Sequence, residues 1–154
     1  MELTIEQAMQ QAVVEHKNGN LQNAESVYRQ VLKIMPTHAD ANHNLGILLV
    51  ALHQSNNALQ FLHTALQQNE KVEQFWLSYI SALINLDKLD IANEFIEETI
   101  KAGFSGPKLV SLSERMLSPA ALRAKGKFFQ ANDGNYLYFL NALHRNVYEG
   151  YFEI

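Results

Sequence analysis

The sequence predicts an all-α chain: an α-solenoid of three helix-turn-helix repeats followed by C-terminal capping helices. Three observations predict it. Ala24, Ala58 and Ala92 stand 34 residues apart. Apolar residues recur at helical spacing on both sides of each alanine, as in Leu45, Leu49, Leu62 and Ala65. Short polar turns such as Asn18-Gly19-Asn20 and Leu86-Asp87-Lys88 divide the helical stretches into pairs. A fixed period that holds one helix pair marks a repeat architecture. One pair cannot bury both of its faces, so successive copies must stack.

The copies are residues 5–38, 39–72 and 73–106. Thr4, with Gln7 three residues on, reads as a capping box that opens a helix running to about Lys17. Gly19 and its flanking asparagines end it, since Gly and Asn tolerate the left-handed backbone. The second helix covers 21–34 and stops before Pro36, because the residue preceding proline is pushed out of the helical region. Helices are expected over about 39–52, 56–68, 73–85 and 89–102. The last of these carries Lys101 in its final turn, where a cation suits the helix dipole. Gly46 and Ala58 are small where two helices of one hairpin must approach, and Leu45, Leu49 and Leu62 fill the space around them.

Beyond Gly103 the register breaks. Pro107 suits a first helical position, opening a shorter helix over about 108–117, and Ser118-Pro119 opens another to about 131. A final helix over about 136–149 carries Tyr136, Leu140, Leu143, Val147 and Tyr151 as one apolar stripe. Residues 107–154 are therefore expected to cap the array, and the aromatic last helix offers a surface for a homodimer.

Asn42-x-x-Leu45-Gly46-x-x-Leu49, Ala58-x-x-x-Leu62, Trp76, Tyr28 and Pro36 together resemble the tetratricopeptide (TPR) pattern W-x-x-L-G-x-x-Y, A-x-x-x-F and a terminal P. The resemblance covers the first two-thirds of the chain. Glu70 and Phe104 depart from it, standing where the pattern has proline.

Composition bounds the function. Across 154 residues, 47% hydrophobic and 18% charged content are globular values. A net charge of −4 without a basic run argues against nucleic acid, whose phosphates require clustered cations. There is no Cys to form a disulfide or a thiolate nucleophile. The N-terminal residues lack the basic and apolar regions of a signal peptide, and no apolar run reaches the ~18 residues of a membrane span. A cytoplasmic protein without a membrane association is the expectation.

No catalytic or metal constellation emerges. The histidines, His16, His38, His43, His53, His63 and His144, form no metal-ligand spacing; His38 and His43 come nearest to one across a turn. Glu94, Glu97 and Glu98 read as a solvated helix face. Ser111, Ser113 and Ser118 lie outside any nucleophile-elbow motif. No enzyme, cofactor or metal is expected.

The TPR resemblance implies a concave groove lined by the first helix of each repeat, holding a peptide or amphipathic helix of another protein. It places Gln10, Asn44 and Ser78 toward that groove, where amides and hydroxyls can grip a peptide backbone. In large TPR glycosyltransferases an Asn ladder occupies this position, and Asn44 matches its type. At the positions where some TPR proteins hold a chaperone's carboxylate with Lys, Asn and Arg, this chain has Met9, Val13, Asn44, Gln74 and Ser78. Without the cations, charge-assisted grip on a terminal carboxylate is not expected. Met9, Val13, Ile47, Val50, Leu77 and Ile84 instead make the groove apolar, with His43 and Ser81 beside them, and Leu77 is expected to be partly exposed there. The alternative implied by the family is a TPR segment of a larger glycosyl-, sulfo- or methyltransferase.

Overall fold

The computed structural model describes residues 3–116, which form seven α-helices and no strand. They are α1 (Ile5–Lys17), α2 (Leu21–Ile34), α3 (Ala39–Ala51), α4 (Ser55–Gln68), α5 (Glu73–Asn85), α6 (Leu89–Lys101) and α7 (Pro107–Met116). Each lies within about one residue of its expected bounds, because caps and polar turns punctuate the apolar periodicity. The expected helices over 118–131 and 136–149, with the aromatic stripe and any homodimer it forms, lie outside the described residues. Among the described residues no helix is long and apolar enough to cross a membrane.

Contacts divide the chain into two compact units, one ending at Leu86 and the other starting at Asp87. In the first unit, α1 packs on α2, α2 on α3, α3 on α4 and α4 on α5. Helix α3 also touches both α1 and α5. Helices α1, α3 and α5 therefore form one layer and α2 and α4 the other. Ala12, Ala24, Tyr28, Leu45, Leu49, Ala58 and Leu62 share one core between them. A methyl group on Gly46 would lie 2.5 Å from Leu62 Cγ and 3.3 Å from the Leu62 backbone nitrogen, so α3 and α4 approach too closely for any side chain there. In the second unit α6 packs on α7. Ala92, Ile96 and Leu109 are fully buried, and the buried hydroxyls of Thr99 and Ser113 donate to Phe95 O (2.6 Å) and Leu109 O (3.0 Å) in their own helices.

The capping box forms: Gln7 N donates to Thr4 Oγ1 (3.2 Å) and Thr4 N to Gln7 Oε1 (3.0 Å). Turns repeat as strictly as helices. Gly19, His53 and Asp87, 34 residues apart, all adopt positive φ, at 81°, 59° and 56°. At the first two turns the following amide reaches back five residues, Asn20 N to Glu15 O (2.9 Å) and Gln54 N to Leu49 O (2.8 Å), closing the helix end as a Schellman motif.

The junctions between repeats carry a second recurring bond. The Asn42 side-chain amide donates to Pro36 O (2.9 Å) and His38 O (3.0 Å). The Trp76 indole N–H donates to Glu70 O (2.8 Å). Asn42 and Trp76 stand 34 residues apart, as do Pro36 and Glu70. A backbone carbonyl six residues upstream is thus held in both junctions, and the missing proline at residue 70 does not undo this geometry.

The left-handed turn at His53 costs the β-carbon penalty that Gly19 avoids. His53→Gly is expected to stabilise the protein by about 1 kcal/mol, roughly 2–4 °C in melting temperature, while Gly19→Ala loses a similar amount. Thermal melts of both variants check this.

Candidate functional site

The candidate surface is the open side of the α1, α3 and α5 layer. Residues three and four apart on a helix share a face. On α1 this groups Glu6, Gln10, Val13 and Lys17; on α3, Asp40, Asn44, Ile47 and Ala51; on α5, Gln74, Ser78, Ser81 and Asn85. All twelve are exposed or half-buried. The 34-residue register makes them rows across the layer: Glu6, Asp40 and Gln74; Gln10, Asn44 and Ser78; Val13, Ile47 and Ser81; Lys17, Ala51 and Asn85. Half-buried Val50 and Ile84 flank them.

Another row runs beneath. Met9, His43 and Leu77, again 34 apart, are only 8%, 8% and 5% exposed. Met9 belongs to the core cluster. Leu77 is therefore buried rather than partly exposed. Helix α5 buries Phe75, Trp76, Leu77, Ile80, Ala82 and Leu83, and a helix that is apolar nearly all round is covered on most sides. The surface open to a ligand is narrower than the sequence suggests: Gln10, Val13, Asn44, Ile47, Val50, Ser78 and Ser81.

His43 joins α3 to α5. Its Nε2 shares a hydrogen bond with Ser78 Oγ (3.0 Å), which also accepts from Gln74 Nε2 (3.2 Å). The imidazole lies tilted on the Phe75 ring, with centroids 4.6 Å apart. Gln74 and Phe75 are the partners that sequence reasoning missed, because contacts between successive first helices leave no mark in either helix alone. In a Ser-His-Asp triad a carboxylate orients the imidazole. Here the ring rests on the Phe75 face, its Nε2 meets Ser78 Oγ and that serine accepts from Gln74, so these side chains link α3 to α5.

A cavity of about 730 Å³ opens at the C-terminal ends of α3 and α5, lined by Val50, His53, Gln54, Ser55, Asn56, Asn57, Asn85 and Leu86. Its lining is carboxamide-rich. Among the described residues no three His, Asp or Glu side chains gather as a metal site.

Burial pushes the His43 imidazole below its ordinary value, against smaller opposing pulls that include the Asp40 carboxylate. The His16 imidazole is lowered by burial as well. The folded state therefore prefers both imidazoles neutral, and below about pH 6.5 the unfolded chain binds protons first. Stability is expected to fall as pH drops from 7 to 5. His43→Gln flattens part of that slope in a series of thermal melts, and an unchanged slope contradicts the assignment.

Residues 15–76 match the family model described as tetratricopeptide repeat. No curated protein matches the chain significantly. Among solved structures, the Sgt2 TPR domain from Aspergillus fumigatus is similar with a TM-score of 0.69 at 18% identity, over 84% of this chain and 87% of that one. The TPR2B domain of yeast Sti1, in its pHsp70 complex, gives 0.66 at 17% identity, over 72% and 94%. The first TPR of Spaghetti (RPAP3), bound to the HSP90 peptide SRMEEVD, gives 0.65 at 16% identity, over 73% and 90%. At these identities the likeness is one of fold. Repeat register, paired helices and the matched family model agree: residues 15–76 match the tetratricopeptide repeat, and the described residues have the fold of TPR domains.

Proposed function

We propose that the chain is a non-enzymatic interaction module whose α1, α3 and α5 face holds a peptide or amphipathic helix of another protein. The observation that carries this reading is the alignment of solvent-facing residues into rows, an amide and hydroxyl row beside an apolar one. Gln10 and Asn44 offer both donors and acceptors to a backbone, while Val13, Ile47 and Val50 offer apolar contact. One similar TPR structure holds an HSP90 peptide and another is a complex with pHsp70, which supports a protein ligand. The positions that resemble a carboxylate clamp hold no Lys or Arg here. Gln74 and Ser78 bond each other and Met9 is buried, so an apolar segment suits the face better than an acidic tail. In this reading residues 5–38, 39–72 and 73–106 are the working repeats and 107–154 complete the array.

Capture of partners by the intact chain, with identification by mass spectrometry, tests the proposal. Asn44→Ala and Ile47→Asn are expected to weaken the captured interaction at least about tenfold with unchanged helicity by circular dichroism, equivalent to about 1.4 kcal/mol or more. Parental binding by both variants places the partner on another surface.

A further inference from the structure

The rows of the α1, α3 and α5 face differ in charge. The row at the N-terminal ends of the three helices contains Glu6 and Asp40, and Glu73 stands beside its third member, Gln74. Glu6 and Asp40 are exposed and Glu73 is half-buried. Among the described residues, the ion pair joins Arg29 to Glu25 on α2, and none of these three carboxylates enters one. First-turn carboxylates complement helix dipoles. Three helices running side by side in the same direction also set Glu6 and Asp40 level along one margin of this face, with Glu73 one position round α5 from Gln74. Next to that margin the rows are neutral and then apolar, through Val13 and Ile47. The one cation of the face, Lys17, lies at the opposite margin.

On the reading that this face docks a partner, we propose that the occupant is an amphipathic helix whose apolar side is flanked along one edge by Lys or Arg. The apolar strip excludes water only against an apolar side. The carboxylate margin then sets orientation and rejects acidic competitors, since charge complementarity across a rim governs association and specificity. Three neighbouring helices at 8–10 Å spacing present a strip roughly 20–30 Å across, which a helix of about 18 residues spans at 1.5 Å per residue. The polarity is opposite to that of a clamp built from lysine and arginine for an acidic tail.

Two synthetic 18-residue helical peptides test this, sharing one leucine face and flanked by Lys in one and by Glu in the other. Their affinities for the intact chain are read by fluorescence anisotropy, for the parent, Ile47→Asn, Asn44→Ala and the combined Glu6→Gln, Asp40→Asn, Glu73→Gln variant. Circular dichroism establishes that each variant is folded. The Lys peptide is expected to bind at least about tenfold tighter than the Glu peptide, with the preference lost in the neutralised variant and in 0.5 M salt, where screening is short-ranged. Ile47→Asn and Asn44→Ala weaken both peptides. Equal affinity for the two peptides, weakened by Ile47→Asn or Asn44→Ala, overturns the cationic partner and leaves the docking face standing. A Lys peptide that binds unaffected by either groove variant, or no binding of either peptide, overturns the docking face as well.

Discussion

The arrangement depends on how each repeat is tied to the next. At both junctions in the first unit a side-chain N–H reaches six residues back to a loop carbonyl: Asn42 to Pro36, Trp76 to Glu70. Asn42 and Trp76 are themselves buried, at 2% and 6% exposure. A neutral hydrogen bond of this kind contributes about 0.5–1.5 kcal/mol net, whereas a buried partner left unmatched costs roughly 1–3 kcal/mol. The bond therefore acts less as a source of stability than as a constraint. It fixes where α3 and α5 begin relative to the preceding loops. Two unlike side chains perform the same task, and a proline is dispensable where the indole takes hold.

From that constraint the rows follow. If α1, α3 and α5 start in the same register, residues 34 apart come level across the layer. One level, Met9, His43 and Leu77, turns inward. There His43 meets Ser78 and Phe75 and links α3 to α5. The neighbouring levels face outward and give polar, apolar and acidic strips. The proposed docking face is thus a by-product of packing: the same helices that bury the inner row display the outer ones. Close packing between layers, as at Gly46 against Leu62, holds the two helices of the hairpin at one separation.

Much of this was legible in the sequence. Thr4 and Gln7 announce a capping box, Gly19 a helix end, and the 34-residue spacing of alanines the repeat itself. The helix ends at Ile34 and Asn85 fall where the turn signals put them. What was not legible has a physical reason. Helices α3 and α5 carry apolar residues on most sides, so periodicity alone cannot tell an inward residue from a groove residue, and Leu77 reads as partly exposed although it is buried. His53 and Asp87 carry no glycine to signal their left-handed turns, yet the register of Gly19 points to both. The junction bonds join a side chain to a backbone carbonyl across a turn, and a carbonyl has no letter in the sequence.

Trp76 is the single tryptophan of the chain, so its indole N–H gives one resolved signal in a proton–nitrogen correlation spectrum. Hydrogen exchange of that signal measures the junction directly. The account predicts slow exchange, with protection comparable to that of the backbone amides of α5, because the bond to Glu70 O opens only when α5 leaves its repeat. Exchange at the rate of a free indole, while the α5 amides remain protected, would contradict it.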